Sequence, residues 1–336
     1  MAVNLSIVLI FQFLILILLD KIAKKFNFLD YPSERKKHSK PTPYVGGLAL
    51  GFGFLFLIYI LKIKVMYLDL IIFSALLMSI IGLIDDKFDI NPIVKLIFQS
   101  IPVYILISKG LYLTDIGEYE IIGKIGLGNY AKFFTFLCCL LILNAFNYID
   151  GIDGLLATLF INIFISFIII CYFFNEIYIS QILVYFILPV VVFLLFNISL
   201  FSLPKIFLGD SGSNFLGFLT GFTMIVLYKK FSIEPSILIW PVALIIFDFL
   251  ATSIIRVQNK KKLFQTGNDH VHYQISKKFN FKTLKINLTL NLMNCFFTCF
   301  GVTIYYLLGP LYSLLSFIGI FFIYLKIKSN LSFKNY

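Results

Sequence analysis

The stretch MSIIGLIDDKFD, residues 78–89, ends an apolar run with two adjacent acids, Asp85 and Asp86. Two further apolar stretches carry aspartates in a similar way: NAFNYIDGIDG at 144–154 and PKIFLGDSGSNFLG at 204–217. A carboxylate near the hydrocarbon core of a bilayer costs about 2.5–3.5 kcal/mol at a helix centre and less at its edge. A chain that bears this cost three times is predicted to gather acids around a divalent cation, which commonly serves phosphate chemistry.

The composition predicts an all-α, polytopic integral membrane protein. Of 336 residues, 60% are hydrophobic and 13% are charged, whereas soluble domains carry about 25% charged residues. About eleven apolar runs have the length that a spanning helix needs, near 3–19, 44–61, 65–84, 92–108, 131–148, 155–174, 180–200, 212–228, 235–255, 284–308 and 310–327. The first run has no basic segment before it and no cleavage site after it, so we expect a retained helix.

Lysine and arginine predict how the chain is oriented. An odd number of helices places the termini on opposite sides, and Lys and Arg are concentrated in two loops, 20–43 and 256–284. The positive-inside rule then makes the N-terminus periplasmic and the C-terminus cytoplasmic. We expect a single membrane domain, 1–336, with its cytoplasmic loops at about 20–43, 85–91, 149–154, 201–211 and 256–284. All three aspartate stretches then lie on the cytoplasmic side.

The net charge of +11 suits basic loops beside anionic lipid. It does not indicate a nucleic-acid partner, because the basic residues form loop clusters without a stacking platform or a groove-reading motif.

The first basic loop reads RKKHSKPTPYVGG, residues 35–47, and carries Arg35, Lys36 and His38. Its charges could anchor a helix to lipid headgroups, or they could bind phosphate oxygens. The pair Gly46 and Gly47 favours the second reading, because glycine lets backbone N–H groups approach an anion closely. Lys95, at the start of a later apolar run, could likewise hold a phosphate or merely extend to the interface.

The polar residues of the second stretch, Asn144, Asn147, Asp150 and Asp153, are spaced by three. On a continuous helix they would line one face, and intramembrane polar residues are functional by default.

Asp210 precedes an apolar run, so it could cap a helix or bind a metal ion. Carboxylates without nearby Cys favour Mg²⁺, with Mn²⁺ as the alternative, over zinc. His270 and His272 form a His-x-His pair that lacks further ligands at zinc spacing, so we expect them near a bound diphosphate. Asp248 could pair with Arg256 or support the site.

Together these motifs resemble, in order from Asp30 to Tyr273, the polyprenyl-phosphate N-acetylhexosamine-1-phosphate transferase family. The loop 35–47 and the thirteen-residue spacing from Asn197 to Asp210 resemble its WecA-like branch more than the related MraY branch. The family's usual DRxHIHH motif reads NDHVHYQ here, so Tyr273 replaces a histidine.

The resemblance implies roles for individual residues. Asp85, Asp86 and Asp153 would take part in catalysis, and Asp210, together with Asp86, would bind Mg²⁺. The residues that would contact the substrates are Arg35, Lys36, His38, Gly46, Gly47, Lys95, Asn147, Asp150, Asn197, His270 and His272.

The implied reaction transfers a sugar-1-phosphate, with GlcNAc-1-phosphate as the default, from a UDP-sugar to undecaprenyl phosphate and releases UMP. The product would initiate a cell-surface polysaccharide of the O-antigen type. The active site would lie at the cytoplasmic face of the bacterial inner membrane, and the protein could form a homodimer. UDP-FucNAc, UDP-QuiNAc or a phospho-MurNAc-pentapeptide donor remain alternatives. A flippase for lipid-linked sugars is the alternative from another class, although transporters place charge nearer the midplane in related halves. A CDP-alcohol phosphotransferase would need DGxxAR, which is absent.

Overall fold

The computed structural model describes residues 2–32, 40–120, 122–262, 267 and 269–333. Thirteen α-helices occur in this described part of the chain: α1 Ala2–Phe26, α2 Gly46–Leu61, α3 Leu68–Phe88, α4 Pro92–Ser108, α5 Ala131–Ile149, α6 Leu155–Phe173, α7 Ile177–Asn197, α8 Gly209–Phe231, α9 Pro235–Leu238, α10 Ala243–Gln258, α11 Val271–Phe279, α12 Thr283–Leu308 and α13 Pro310–Phe333. Each of the eleven predicted apolar runs coincides with one of these helices, the ninth being divided between α9, a 3₁₀ turn and α10.

Eight helical segments of the described residues are long and apolar enough to cross a membrane, and α2 and α4 are shorter apolar helices. The chain is therefore a polytopic helical membrane protein, as predicted. Helix α8 is not among these ten, and its first turns, GDSGSN, are polar. The count of eleven spans and the orientation of the termini stay predictions.

The prediction of an all-α chain misses two small antiparallel sheets. Strands β1 (Leu29–Asp30) and β2 (Thr42–Pro43) pair beside the first basic loop, and β3 (Asp115–Tyr119) and β4 (Gly123–Gly126) form a hairpin between α4 and α5. These strands are short. In β4, apolar and polar side chains do not alternate, so the period-2 pattern that identifies a strand is missing.

Two helix ends at the acidic stretch follow from local chemistry. Helix α3 ends where Asp89 adopts a left-handed conformation (φ 47°) and donates its N–H to the carbonyl of Asp85. Helix α4 begins at Asn91, whose side chain accepts the N–H of Ile93 at 2.9 Å, followed by Pro92 in the first turn. Asn91 is thus an N-cap. Asp85 and Asp86 lie inside α3 and not in the loop 85–91.

Helix α8 is the centre of the bundle. It packs against α2, α3 and α5, and its residues are buried without interruption from Ser211 to Thr223. A helix that is buried all round needs neighbours that approach closely, and small residues permit this within a membrane. A Cβ atom added to Gly47 on α2 would overlap the backbone of Ser211 and Gly212, and one added to Gly82 on α3 would overlap the backbone of Asp210. These two glycines therefore bring α2 and α3 against the N-terminus of α8.

Replacing Gly82 by Ala tests this packing. We expect Gly82→Ala to lower the thermal unfolding temperature in detergent, because the methyl group would force α3 away from α8 at a cost of about 1–3 kcal/mol. The matched control is Gly319→Ala on α13, where an added Cβ meets no atom within 4 Å. Equal unfolding temperatures for the two variants would contradict the close approach.

Candidate active site

The acidic stretches meet at one lysine. The Nζ atom of Lys95, in the first turn of α4, lies 2.7 Å from Asp85 of α3 and forms a second, shorter ion pair with Asp210 of α8. The Lys95 side chain is only 12% exposed. Three helices are therefore joined by one buried ammonium group. Of the two readings for Lys95, extension to the interface is wrong, because its charge points into the helix bundle.

Asp86 holds the N-terminus of α8. Its carboxylate accepts the backbone N–H groups of Asp210 at 3.1 Å and Ser211 at 3.4 Å. Helix α8 begins without a side-chain cap of its own, so a carboxylate from α3 serves as the cap and meets the positive end of the helix dipole. Asp210 is thus not the N-cap of its helix, and its side chain is directed to Lys95.

The two glycines at the start of α2 are also hydrogen-bonded through their backbone N–H groups. Gly46 and Gly47 donate their N–H groups to the carbonyls of Phe207 and Leu208, at 3.0 and 3.1 Å. The expectation that these N–H groups are open to an anion is therefore wrong. They fasten the start of α2 to the segment that leads into Asp210.

The polar stripe of the second stretch divides at the end of α5. Asn147 lies on the helix and donates to the hydroxyl of Ser213 at 3.0 Å, but α5 ends at Ile149. Asp150 and Asp153 lie in the following turn and not on a continuous helical face, so that part of the prediction is wrong. The helix ends where Asp150 leaves the helical conformation (φ −77°, ψ 59°).

The two aspartates of this turn have different surroundings. Burial raises the pKa of Asp150 well above its usual range, and the negative charges of Asp210 and Asp153 raise it further. Asp153 is balanced by Lys205, whose Nζ lies 2.6 Å away. Lys205 was not recognised from the sequence, although it stands five residues before Asp210 in the third stretch.

Asn197 connects the two loops at this end of the bundle. At the end of α7, its side chain accepts the N–H of Gly154 at 2.6 Å and donates to the carbonyl of Ile206 at 2.9 Å. These bonds fix the turn containing Asp153 relative to the segment before Asp210. Its contact with a substrate stays a prediction.

The His-x-His pair lies against the turn after α5. The His270 ring stacks on Tyr148 at 4.9 Å, and the His272 ring lies 6.1 Å from that of His270. His272 is fully buried, and burial lowers its pKa to about 3. A Cβ atom at Gly151 would overlap the imidazole of His272. Both rings are buried, although loop histidines are more often exposed. Their predicted place near a bound diphosphate stays a prediction.

Asp248 and Arg256 do not pair with each other. Arg256 forms a bidentate pair with Asp269, at 2.7 and 2.6 Å. Burial acts to raise the pKa of Asp269, but hydrogen bonding and the charge of Arg256 outweigh it and lower the pKa. Asp248 instead contacts His270 at 2.8 Å. The sequence left two readings for Asp248, an ion pair with Arg256 or support of the site. The contact with His270 favours support, given to the histidine loop that carries His270 and His272.

Arg35, Lys36 and His38 lie outside the described residues. Their predicted contact with phosphate stays a prediction.

The donor chemistry of the acidic cluster suits a hard cation. Carboxylate oxygens of Asp85 and Asp210 converge on a single positive charge, that of Lys95, and oxygen ligands of this kind favour Mg²⁺. Within the described ranges, no group of three His, Cys, Asp or Glu side chains stands in metal-binding proximity. Asp210 would hold such an ion, with further ligands from substrate phosphates, as Mg²⁺ commonly binds. Asp86, the second predicted ligand, accepts backbone N–H groups of α8, and its binding of the ion stays a prediction.

The fold and this site define a polytopic membrane protein with an acidic, lysine-bridged polar centre at one end of its helix bundle. Residues 68–228 match the model of the family described as glycosyl transferase family 4. The chain belongs to this family.

Named relatives extend the match beyond that segment. The chain is 27% identical to the undecaprenyl-phosphate alpha-N-acetylglucosaminyl 1-phosphate transferase of Escherichia coli O157:H7, over 80% of this chain and 74% of that protein. The enzyme of the same name from Yersinia pestis is 27% identical over 82% and 77%. A Bacillus subtilis (strain 168) protein, named "Probable undecaprenyl-phosphate N-acetylglucosaminyl 1-phosphate transferase", is 30% identical over 77% and 72%.

Removing the bridging lysine tests the cluster. We expect Lys95→Met to destabilise the protein by about 3–5 kcal/mol, because loss of one partner leaves buried carboxylates without a countercharge. The control is Lys124→Met, which removes a lysine that pairs with Asp115 at 2.9 Å but is 60% exposed. There we expect little or no loss, because solvent and salt screen an exposed ion pair. Denaturant unfolding in detergent measures both, and equal losses would contradict the bridging role.

The buried His272 predicts a pH dependence of stability. Its folded pKa, about 3, is lower than the unfolded value of about 6.5. Between these values the unfolded state binds more protons, so stability falls as pH falls from about 6.5 towards 3, by up to about 1.4 kcal/mol per pH unit.

His272→Gln cannot titrate in this window. The free energy of unfolding, measured from pH 7 to pH 4, is expected to fall less steeply for this variant than for the wild type. Parallel curves would show that His272 protonates as readily in the folded state as in the unfolded state.

Proposed function

We propose that this protein transfers GlcNAc-1-phosphate from UDP-GlcNAc to undecaprenyl phosphate and releases UMP. The observation that carries the proposal is the convergence of Asp85, Lys95 and Asp210 from three helices at one end of an apolar bundle. Membership of glycosyl transferase family 4 and the names of the relatives support the same reaction.

The chemistry needs one bond to form and one to break. An oxygen of the lipid phosphate attacks the β-phosphorus of the UDP-sugar, the bond between that phosphorus and the bridging oxygen breaks, and UMP leaves with the bridging oxygen. A phosphate monoester has a second pKa near 6, so near neutral pH most of the lipid phosphate already carries both charges. A basic side chain therefore has to accept a proton only from the remaining fraction.

The protein's main task is to bring two polyanions together. Lys95 donates to Asp85 and Asp210 and has a third N–H, which can bind a phosphate oxygen. Lys205, paired with Asp153, supplies a second cation beside the turn after α5. A Mg²⁺ ion held by Asp210, with Asp86 nearby, would stabilise the charge that develops on the transferring phosphate.

Asp85 is the residue best placed to accept a proton. Its Oδ2 atom contacts Lys95, and its Oδ1 atom accepts the N–H of Ile90 at 3.1 Å. Asp86 and Asn197 are engaged by the backbone and position the segments that carry Asp210 and Asp153. Asp150 and Asn147 border the same end of the bundle and would face the nucleotide.

The basic loops support a cytoplasmic active site. The described basic residues at the ends of α1 and α10, such as Lys25 and Arg256, lie at the end of the bundle where the aspartates meet, as the positive-inside rule requires for a cytoplasmic face. In a bacterial inner membrane the product would be a lipid-diphosphate sugar that initiates a surface polysaccharide of the O-antigen type.

A transporter of lipid-linked sugars is the competing function. Transporters place substrate sites near the midplane, between broken helices. Here the described acids cluster at helix ends, which favours a phosphotransferase.

The proposed reaction is tested with purified protein, undecaprenyl phosphate, Mg²⁺ and a panel of UDP-N-acetylhexosamines, with UMP release as the readout. UMP that requires both lipid and metal is the expected result, with UDP-GlcNAc the fastest donor. A faster reaction with a 6-deoxy sugar such as FucNAc or QuiNAc would change the donor and keep the reaction. No UMP with any donor, from folded protein, would favour the transporter.

A matched pair of aspartate variants separates the site from the rest of the helix bundle. We expect Asp85→Asn to reduce the rate of UMP release by at least about 100-fold, a range that loss of acid–base catalysis covers. The control is Asp69→Asn, at the opposite end of α3, where the aspartate is exposed. Activity near the wild-type level in Asp85→Asn would remove this residue from the chemistry.

A further inference from the structure

A second buried charge cluster lies behind the histidine loop. Asp248, on α10, is 1% exposed, and Lys328, near the end of α13, is 2% exposed. The two side chains form an ion pair, and Lys328 also donates to the hydroxyl of Thr252. A buried ion pair is weak evidence for stability by itself, so its place beside the candidate active site requires another explanation.

The contacts of Asp248 determine the tautomer of His270. Its Oδ1 atom accepts the N–H of Val271 and the hydroxyl of Tyr324, each at 3.1 Å, as well as the ammonium of Lys328. Its Oδ2 atom lies 2.8 Å from Nδ1 of His270. With a lysine and a tyrosine already donating to it, Asp248 is an ionised acceptor. His270 must therefore carry a proton on Nδ1 and donate it.

The opposite nitrogen of His270 is then free to accept. In the neutral ring a proton on Nδ1 leaves Nε2 without one, and Nε2 of His270 is buried with no hydrogen-bond partner among the described residues. Lys328 already balances the charge of Asp248, so the ring does not have to become an imidazolium.

A bare Nε2 atom cannot donate to a phosphate oxygen, but it can accept a hydroxyl or an N–H group. The ring stacks on Tyr148, which also lies under Arg256 at 5.6 Å. Tyr148 is two residues from Asp150, so His270 borders the turn that carries Asp150 and Asp153.

We infer that Asp248 and Lys328 are positioning residues that hold His270 as a neutral acceptor for a hydrogen-bond donor of the sugar nucleotide. The donor is a hydroxyl or N–H group of its sugar or base, and not the diphosphate. This inference rests on the proposed function. It gives the C-terminal helix α13 a part in substrate recognition, although α13 supplies no residue to the acidic cluster among the described contacts.

The tautomer can be measured without any activity. The protein has three histidines, so ¹⁵N NMR of imidazole-labelled protein in detergent can resolve each ring, with His270→Gln assigning the signal. The expected wild-type signal is a neutral ring with the proton on Nδ1. In Lys328→Met we expect this signal to change, because Asp248 loses the ammonium group that balances its charge beside His270. Lys326→Met, an exposed lysine on the same helix, should leave the signal unchanged.

Kinetics test the consequence for the substrate. Lys328→Met should raise the KM for UDP-GlcNAc about tenfold, the size of one lost hydrogen bond, with the KM for undecaprenyl phosphate and kcat close to wild type. Asp248→Asn combined with Lys328→Met removes both charges and leaves an amide oxygen for Nδ1–H. This double variant should restore the neutral tautomer and most of the donor affinity, which a merely structural defect would not allow.

Three outcomes would overturn the inference. They are a wild-type His270 with its proton on Nε2, an unchanged ring in Lys328→Met, or equal effects of Lys328→Met on the KM of both substrates. Failure of the proposed function is distinguishable from these. If wild-type protein shows the expected tautomer but releases no UMP, the proposed transferase function is contradicted. The proposed recognition of a sugar nucleotide by His270 is then contradicted as well.

Discussion

The ion pairs of Lys95 with Asp85 and Asp210 are the interaction on which the active end of the bundle depends. They join α3, α4 and α8, whose polar residues lie far apart in the sequence, through one ammonium group that is almost fully buried. Carboxylates that face each other in a poorly solvated site repel strongly unless a cation lies between them. The lysine therefore lets the chain gather acid before any substrate or metal ion is bound.

Close backbone packing makes this arrangement geometrically possible. Gly47 and Gly82 allow α2 and α3 to meet the first turn of α8, and Asp86 then reaches the N–H groups at the start of that helix. The acids thus make different contacts. Asp86 holds the backbone at the start of α8, Asp85 and Asp210 pair with Lys95, and Asp153 pairs with Lys205.

The sequence predicted the class of fold and the acidic segments that come together, because both depend on simple patterns. Apolar runs of spanning length identified every long helix, and acids in those runs identified the three segments that meet. It could not predict contacts between distant segments. Lys205 looked like an ordinary loop lysine, and Gly46 and Gly47 suggested an anion site when their N–H groups in fact bind the carbonyls of Phe207 and Leu208. Burial of His272 was equally invisible, since a loop histidine is more often exposed.

The prediction of a continuous polar stripe from Asn144 to Asp153 was wrong for a physical reason. Spacing by three gives one helical face only while the helix continues, and the helix ends at Ile149, where Asp150 leaves the helical conformation. The break is useful, because a turn can direct Asp150 and Asp153 towards the segment before Asp210. The assignment of substrate contacts and of the metal ligand goes beyond the contacts within the chain and remains a proposal.

The most direct measurement is the exchange of labelled UMP into UDP-GlcNAc. If the three acidic segments form one site for direct transfer, exchange requires undecaprenyl phosphate, and it is lost in Asp85→Asn, Asp153→Asn and Asp210→Asn alike. Exchange that proceeds without the lipid phosphate would indicate an intermediate on the protein itself and would contradict direct transfer. Undiminished exchange in any of these three variants would contradict the assignment of its segment to the site.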